Sequence, residues 1–166
     1  MFEAAGSVLS VFDVVGKVHG RKKIQKMIYL LKVAGTPMPF QYEYHHYGPY
    51  SSGLQAELDD LAQRGFLSES MHDDTYVYEM TDEGRKFKEK LDRFGMTVEV
   101  DRELVRSMAR HSSQFLEMVS TYAFLVDTGY ERQAAKDKAL ELKSHLPISI
   151  DQAIAYYDEW IAPRFK

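Results

Sequence analysis

The sequence contains no cysteine, which excludes disulfide bridges, thiolate zinc ligands and a cysteine nucleophile. It also has no apolar run near the roughly 20 residues that a membrane-spanning helix needs. The N-terminal stretch MFEAAGSVLSVFDVVGKVHG contains Glu3 and Asp13 and lacks the basic start and cleavage site of a secretory signal. A cytoplasmic protein without membrane association is therefore expected.

An excess of positive charge is missing as well. The formal net charge is −4, while hydrophobic residues make up 45% and aromatic residues 13% of the chain. This composition is typical of a globular protein with a substantial core. Because long-range attraction to nucleic acid depends on the summed charge, only a local basic patch would serve such a partner.

Catalytic and metal-binding motifs are absent. The sequence has no phosphate-binding GxxxxGK[ST] or GxGxxG loop, no GxSxG nucleophile turn and no HExxH pair. His45 and His46 are adjacent, and neighbouring residues of a strand point to opposite faces, so the two imidazoles do not suit one ion. We therefore expect no metal, no cofactor and no enzymatic activity.

Apolar periodicity divides the chain into a first part, residues 1–95, and a helical extension, residues 96–166, which we expect to pack as one globular unit. The extension is predicted to contain three helices, of which the first is a single long one. The predicted elements are helices over residues 3–17 and 21–35, a short strand over 40–47, a helix from Ser51 or Ser52 to Gly65, a hairpin around 71–74, a helix from Thr81, and helices over 101–127, over 131–143 and from Ser149.

This order predicts an α+β protein, mostly α, with a winged-helix-like first part. A helix, a second helix, a short strand, a third helix, a hairpin and a fourth helix follow one another as in a winged helix-turn-helix. The third helix and the hairpin would then be the DNA-reading elements. A fold of this kind hosts many functions, so the charges decide which one applies.

The charges on those elements have the wrong sign for DNA. Between Ser51 and Met80 there are seven acidic residues and a single base, Arg64. DNA affinity comes largely from Lys and Arg neutralising phosphates, so docking through the third helix and hairpin is disfavoured. The inward-facing leucines leave Glu57, Asp59 and Asp60 near the outer surface of the third helix, and Asp73 and Asp74 form the predicted wing tip.

One basic cluster precedes the second helix and enters its first turns. Its members are Lys17, Arg21, Lys22, Lys23 and Lys26. A charge run of this kind usually forms a solvated helix face. The alternative is an anion-binding site, because the free amide groups of a helix N-terminus favour phosphate.

Two further groups suit a binding surface. Gln25 and Tyr29 are four residues apart and share a helix face. Tyr47 and Tyr50 bracket the Gly48-Pro49 turn, and tyrosine is frequent in protein interfaces. The alternative is that these tyrosines cover the core while glycine and proline make the turn.

These same residues carry a family resemblance. The segments GRKKIQKMIYLLK and YHHYGPYSSGLQAEL resemble the YwgA-like family of small bacterial proteins, over most of the chain through FLEMVSTYAFLVDTGYERQAAKDKALELKSHLP. The first half also resembles, more distantly, the Panacea family of antitoxin-like domains related to SocA. Both families have a Leu-Gln-Lys-Leu-x-Tyr helix followed by Tyr-Gly-Pro; here these are Ile24-Gln25-Lys26-Met27-Ile28-Tyr29 and Tyr47-Gly48-Pro49. The Panacea resemblance implies toxin neutralisation or an adaptor role, with Gln25, Tyr29, Tyr47, Gly48 and Pro49 in the shared core.

The sequence thus favours a non-enzymatic protein-binding, adaptor or antitoxin-like module with a basic or toxin-like partner. Its binding residues would be Gln25, Tyr29, Tyr47, Gly48, Pro49, Tyr50, Asp59, Asp60, Asp73 and Asp74. The alternative is a DNA-binding transcription regulator that uses Arg21, Lys22, Lys23 and Lys26. A homodimer is also expected, because the aromatic residues Tyr156, Tyr157 and Trp160 add to apolar helix faces that one chain would have difficulty covering.

Overall fold

Helices dominate the part of the chain that the structure, a computed structural model, describes: residues 2–162. Together with five short strands they make the protein α+β and mostly α. No helix among these residues combines the length and the apolar character needed to cross a membrane. In chain order the elements are α1 (Glu3–Val15), β1 (Lys17–His19), α2 (Arg21–Val33), β2 (Glu43–His45), β3 (Gly48–Tyr50), α3 (Ser52–Gln63), β4 (Leu67–His72), β5 (Thr75–Met80), α4 (Asp82–Arg93), α5 (Arg102–Ala109), α6 (Ser113–Asp127), α7 (Arg132–Leu142) and α8 (Ile150–Tyr156), which continues as a π-helical turn (Tyr157–Ile161).

α1 is a central helix. The sequence predicts one buried stripe, but every residue of α1 from Ala5 to Phe12 is buried. The stripe prediction is wrong because α1 contacts three helices, α3, α4 and α5, and also the strands β1 and β5. A helix enclosed in this way is apolar around most of its circumference.

The main sheet has three antiparallel strands in the order β1, β5, β4. The predicted hairpin is present as β4 and β5, with Leu67 opposite Met80. Its tip is a two-residue turn in which Asp73 and Asp74 have φ values of 50° and 64°. Two successive positive φ angles match the hairpin turn in which Asp and Asn are tolerated, so these two acids have a conformational role.

The predicted strand over residues 40–47 is shorter than expected. Only Glu43–His45 is a strand, and it pairs with Gly48–Tyr50 in a separate two-stranded sheet. The chain reverses at His46 and Tyr47 because Gly48, with φ 95°, already belongs to the returning strand. The alternation of aromatic and polar residues runs on into the turn and hides its position.

The long helix predicted over residues 101–127 is in fact two helices. α5 ends at Ala109, and α6 begins after Ser112, whose hydroxyl accepts a hydrogen bond from the Phe115 amide. Serine at this position is a preferred helix cap. The other two predictions for this region are confirmed, since α7 covers Arg132–Leu142 and Ser149 caps α8.

Buried side chains from residues 2–95 and from residues 96–162 belong to a single hydrophobic cluster. α6 is the main link, because it packs against α2 and β3 as well as α7 and α8. The C-terminal helices therefore cover α2 and the β2–β3 turn, and they contribute side chains to the site described next.

Candidate functional site

A cleft of about 470 Å³ opens between the N-terminal half of α2, the β2–β3 turn and α3. We call it the basic cleft. It unites residues that the sequence assigned to two different hypotheses, a tyrosine-turn interface and a basic anion site. The cleft is lined by Arg21, Lys22, Gln25, Lys26, Tyr47, Tyr50 and Gln55.

Lys26 reaches the cleft from the protein interior. Its side chain is 1% exposed, and its Nζ donates a hydrogen bond of 2.7 Å to the Pro49 carbonyl. Burial lowers the pKa of Lys26 to about 7, although the negative charge of Glu117 opposes that shift. Near neutral pH this amine is therefore divided between its charged and neutral forms.

Glu117 of α6 supplies a buried counter-charge. It is 1% exposed, and its two carboxylate oxygens lie 2.8 Å from Lys143 Nζ and 3.0 Å from Lys22 Nζ. Burial alone would raise the pKa of Glu117, but the hydrogen bonds and charges of Lys143 and Lys22 outweigh it and hold the pKa below its ordinary value. The carboxylate stays ionised and ties α2 to α6 and to the end of α7.

Lys143 and Lys26 also hold the Tyr-Gly-Pro turn in place. Lys143 Nζ donates to the His46 carbonyl at 2.8 Å, just as Lys26 donates to the carbonyl of Pro49. Gly48 is required between them, because its φ is 95° and an added Cβ would lie 3.2 Å from Thr121 Oγ1.

Gln25 fixes the chain on the other side of the turn. Its Nε2 donates to the Ser51 carbonyl at 2.8 Å, and its Oε1 accepts from the Ser51 amide at 2.9 Å. A glutamine amide is suited to this place because it offers a donor and an acceptor together. The Gln-Lys pair of α2 thus anchors the β2–β3 turn and the start of α3, which explains why the two sequence motifs occur together.

The remaining bases are also engaged. Arg21 Nε donates to Glu69 Oε2 at 2.9 Å, and Lys23 Nζ donates to the Ala109 carbonyl at 2.7 Å. Lys22, as described above, pairs with Glu117. The interpretation of this cluster as a solvated helix face is wrong for Lys26, which is buried.

Tyr29 lies outside the basic cleft. It is buried against Tyr42 and Phe124, with ring centroids 4.9 Å and 6.2 Å away. Although it shares a helix face with Gln25, the structure makes it a core residue. Tyr47, which the sequence also predicts as a binding residue, is by contrast 55% exposed at the mouth of the cleft.

The four predicted acidic residues are not in the cleft. Asp59, Asp73 and Asp74 are exposed, and no cation within residues 2–162 forms an ion pair with them. Asp60 is half-buried and pairs with Arg64 at 2.9 Å. The link to the cleft is Gln55, whose Nε2 donates to Asp59 Oδ1 at 3.0 Å.

Two residues of the site, Glu117 and Lys143, were not found from the sequence. The signal for Glu117 is a single acid inside the apolar run FLEMVSTYAFL, where a solvated carboxylate is out of place. Nothing in the sequence distinguishes Lys143 from the lysines of α7, which it directly follows, since its role depends on where that helix ends relative to the β2–β3 turn.

These features define a mostly helical α+β protein in which a Gln-Lys helix is tied to a Tyr-Gly-Pro turn by buried charges. The chain is 32% identical over 166 residues to "Uncharacterized protein YwgA" of Bacillus subtilis (strain 168), and the match covers 96% of this chain and 97% of that protein. The chain therefore belongs to the YwgA-like family. No protein-family model matches it.

Proposed function

We propose that this protein is a non-enzymatic protein-binding module, an adaptor or an antitoxin-like protein, that docks a basic partner. The docking face would be the acidic surface, which we define as Asp59 and Asp60 of α3 together with Asp73 and Asp74 at the β4–β5 tip. The observation that carries the proposal is a difference in pairing. Asp59, Asp73 and Asp74 are exposed and form no ion pair with a cation in residues 2–162, whereas each base of the cluster contacts a carboxylate or a carbonyl of the chain.

The order and pairing of the elements support a winged-helix-like first part. β1 pairs with the β4–β5 hairpin, and α3 precedes that hairpin directly. In that comparison α3 would be the recognition helix and the hairpin tip the wing. Carboxylates on both elements repel phosphate and attract Lys and Arg, which supports a protein partner over nucleic acid.

A transcription regulator that contacts DNA through the basic cluster is less well supported. A DNA backbone is contacted by basic side chains that extend from the protein surface, unlike the phosphate of a small ligand, which can enter a cleft. The amines of Lys23 and Lys26 donate hydrogen bonds to the carbonyls of Ala109 and Pro49. Arg21 has the most accessible side chain of the four, at 43% exposure, and it is paired with Glu69.

The more distant Panacea resemblance supports a toxin-like identity for the partner, and the lack of a secretory signal in the sequence supports a cytoplasmic setting. The acidic surface and a basic partner would associate through opposite charges. Charge complementarity mainly sets the rate of association and the choice of partner. We therefore expect the complex to weaken as the salt concentration rises.

The test compares partner capture by the wild-type chain and by a variant with Asp59→Asn, Asp60→Asn, Asp73→Asn and Asp74→Asn. Asparagine keeps the volume and tolerates the positive φ angles of the turn, so the hairpin is preserved. Proteins retained from a lysate of the source organism are identified by quantitative mass spectrometry, then purified and titrated. The variant should lose a basic partner that the wild type binds.

A matched control neutralises four exposed acids elsewhere, by Glu89→Gln, Glu99→Gln, Asp137→Asn and Glu141→Gln, and should bind like the wild type. Equal partner binding by the acidic-surface variant would contradict the proposal. A gel shift with genomic fragments at low salt checks the alternative, because binding at micromolar protein that disappears with Arg21→Gln and Lys22→Gln favours the DNA regulator.

A further inference from the structure

We propose that the basic cleft binds a small phosphorylated ligand that carries a planar ring, as a nucleotide does. The cleft volume of about 470 Å³ falls in the range of small-molecule sites, roughly 300–1,000 Å³. Its lining combines three basic side chains, two tyrosines and two glutamines, and no carboxylate is among these residues.

The positive charge around the cleft exceeds the local negative charge. Arg21 is balanced by Glu69, but the single carboxylate of Glu117 serves both Lys22 and Lys143, and Lys26 has no carboxylate within ion-pair distance among residues 2–162. Mutual repulsion of the amines contributes to the lowered pKa of Lys26. A phosphate between these groups would supply the missing negative charge and favour the protonated amine.

The position of the cations on α2 supports the same ligand. Arg21 and Lys22 stand in the first turn of α2, which contains no acidic residue, and Gly20 provides no side-chain cap. Cations there oppose the helix dipole and lower helix stability. A bound anion would reverse that effect, since it would accept hydrogen bonds from the lysines and from the free amides of the first turn.

The tyrosines distinguish an organic phosphate from a bare anion. Tyr47 is 55% exposed on the turn that overhangs the cleft, and Lys22 Nζ lies 4.8 Å from its ring centroid. Tyr50 lines the same cleft and is stacked on His45 at 4.8 Å. Stacking of a base on an aromatic ring next to cations is one means by which proteins bind a base beside its phosphate.

The basic cleft and the acidic surface have no residue in common. The two proposals therefore fail separately: a protein partner is compatible with an empty cleft, and ligand binding is compatible with the absence of a partner.

Calorimetric titration of the full chain with ADP, pyrophosphate and adenosine tests the inference. We expect ADP to bind more tightly than either fragment, with an affinity that falls as salt is added. Arg21→Gln and Tyr47→Ala should each weaken ADP binding by about tenfold, since each removes a charged or stacking contact. Tyr47 is 55% and Arg21 43% exposed, so both variants should stay folded, with thermal midpoints within a few degrees of the wild type.

Arg85→Gln and Tyr130→Ala are the matched controls, because both residues are exposed and lie outside the cleft lining. They should bind ADP like the wild type. Equal affinities for pyrophosphate and ADP would overturn the ring part of the proposal. The absence of binding by ADP and by pyrophosphate at millimolar concentration, or equal loss in the control variants, would overturn it entirely.

Discussion

Lys26 holds its amine in the protein interior, where an apolar side chain would avoid the cost of desolvating a charge. The amine is kept there by the Pro49 carbonyl at 2.7 Å, and burial together with the neighbouring Lys22 and Lys143 favours its neutral form. The protonation of Lys26 near neutral pH is thus coupled to its hydrogen bond with the Tyr-Gly-Pro turn.

This coupling predicts a pH-dependent stability. Unfolded Lys26 has its ordinary pKa of 10.5, whereas in the folded chain the pKa is lowered to about 7. Between these values unfolding takes up a proton, so the contribution of Lys26 to the free energy of unfolding increases as the pH rises. Relative to Lys26→Met, the wild type should gain about 1 kcal/mol per pH unit from about pH 7.5 to 9.5. Urea unfolding of both proteins measures this difference, and parallel pH dependences would show that Lys26 is not neutral in the fold.

Glu117 is expected to be the residue of the site on which stability depends most. Glu117→Gln leaves Lys143, which is 1% exposed in its side chain, and Lys22 without their shared carboxylate. Removing one partner of a buried ion pair costs about 3 kcal/mol or more. The exposed Glu131→Gln should change stability by less than about 0.5 kcal/mol. Urea midpoints compare the two, and equal midpoints would mean that Glu117 is better solvated than its position indicates.

The residues of the site differ in how far the sequence predicts them. The Ser51 cap and the Tyr-Gly-Pro turn follow from local chemistry, and both are present. The burial of Lys26 does not follow, because helical spacing places it away from the Ile24 and Ile28 face. Lys26 is buried only because α6 and the β2–β3 turn pack against α2.

Close approach of backbones sets the geometry between neighbouring elements, as at Gly6 of α1 against Met96 and at Gly84 of α4 against Phe66. A Cβ added at Gly84 would lie 2.1 Å from the Phe66 carbonyl oxygen, so an alanine forces the backbone to shift. Gly84→Ala should destabilise the protein by about 1–3 kcal/mol. Gly53→Ala, in the first turn of α3 with its nearest neighbour at 3.7 Å, should be neutral or stabilising. Thermal unfolding separates the two, and equal effects would place the strain elsewhere.

Whole elements were predicted well where a local stop or cap marks them. The β4–β5 hairpin and the start of α4 at the Thr81 cap agree with the sequence, because the Asp73-Asp74 turn and the cap are local signals. The break between α5 and α6 was missed since the apolar spacing continues from Met108 to Phe115 as if the helix were unbroken. The Ser112 cap was the available signal for it.

At the scale of the whole molecule, the aromatic residues expected to drive dimerisation are covered by the chain itself. Tyr156 and Tyr157 are buried, and Trp160 is half-buried. Tyr156 packs against His111 and Phe115, with ring centroids 4.9 Å and 5.5 Å away. The homodimer stays a prediction without that support, and sedimentation equilibrium would decide it.

The two parts of the chain should fold as one cooperative unit. α5 packs against α1, and α6 packs against α2 and places Glu117 near enough to Lys26 to affect its pKa. A fragment of residues 1–95 would expose these apolar faces and would lose the Glu117 and Lys143 contacts to α2 and the turn. We therefore expect the full chain to unfold in urea in a single transition by fluorescence and by circular dichroism, as small single domains commonly do. The fragment, refolded in the same buffer, should show no near-ultraviolet circular dichroism and no cooperative transition. A sharp transition in the fragment would instead show that residues 1–95 are an independent domain, and the buried Glu117 network would then be an interface between two folded units.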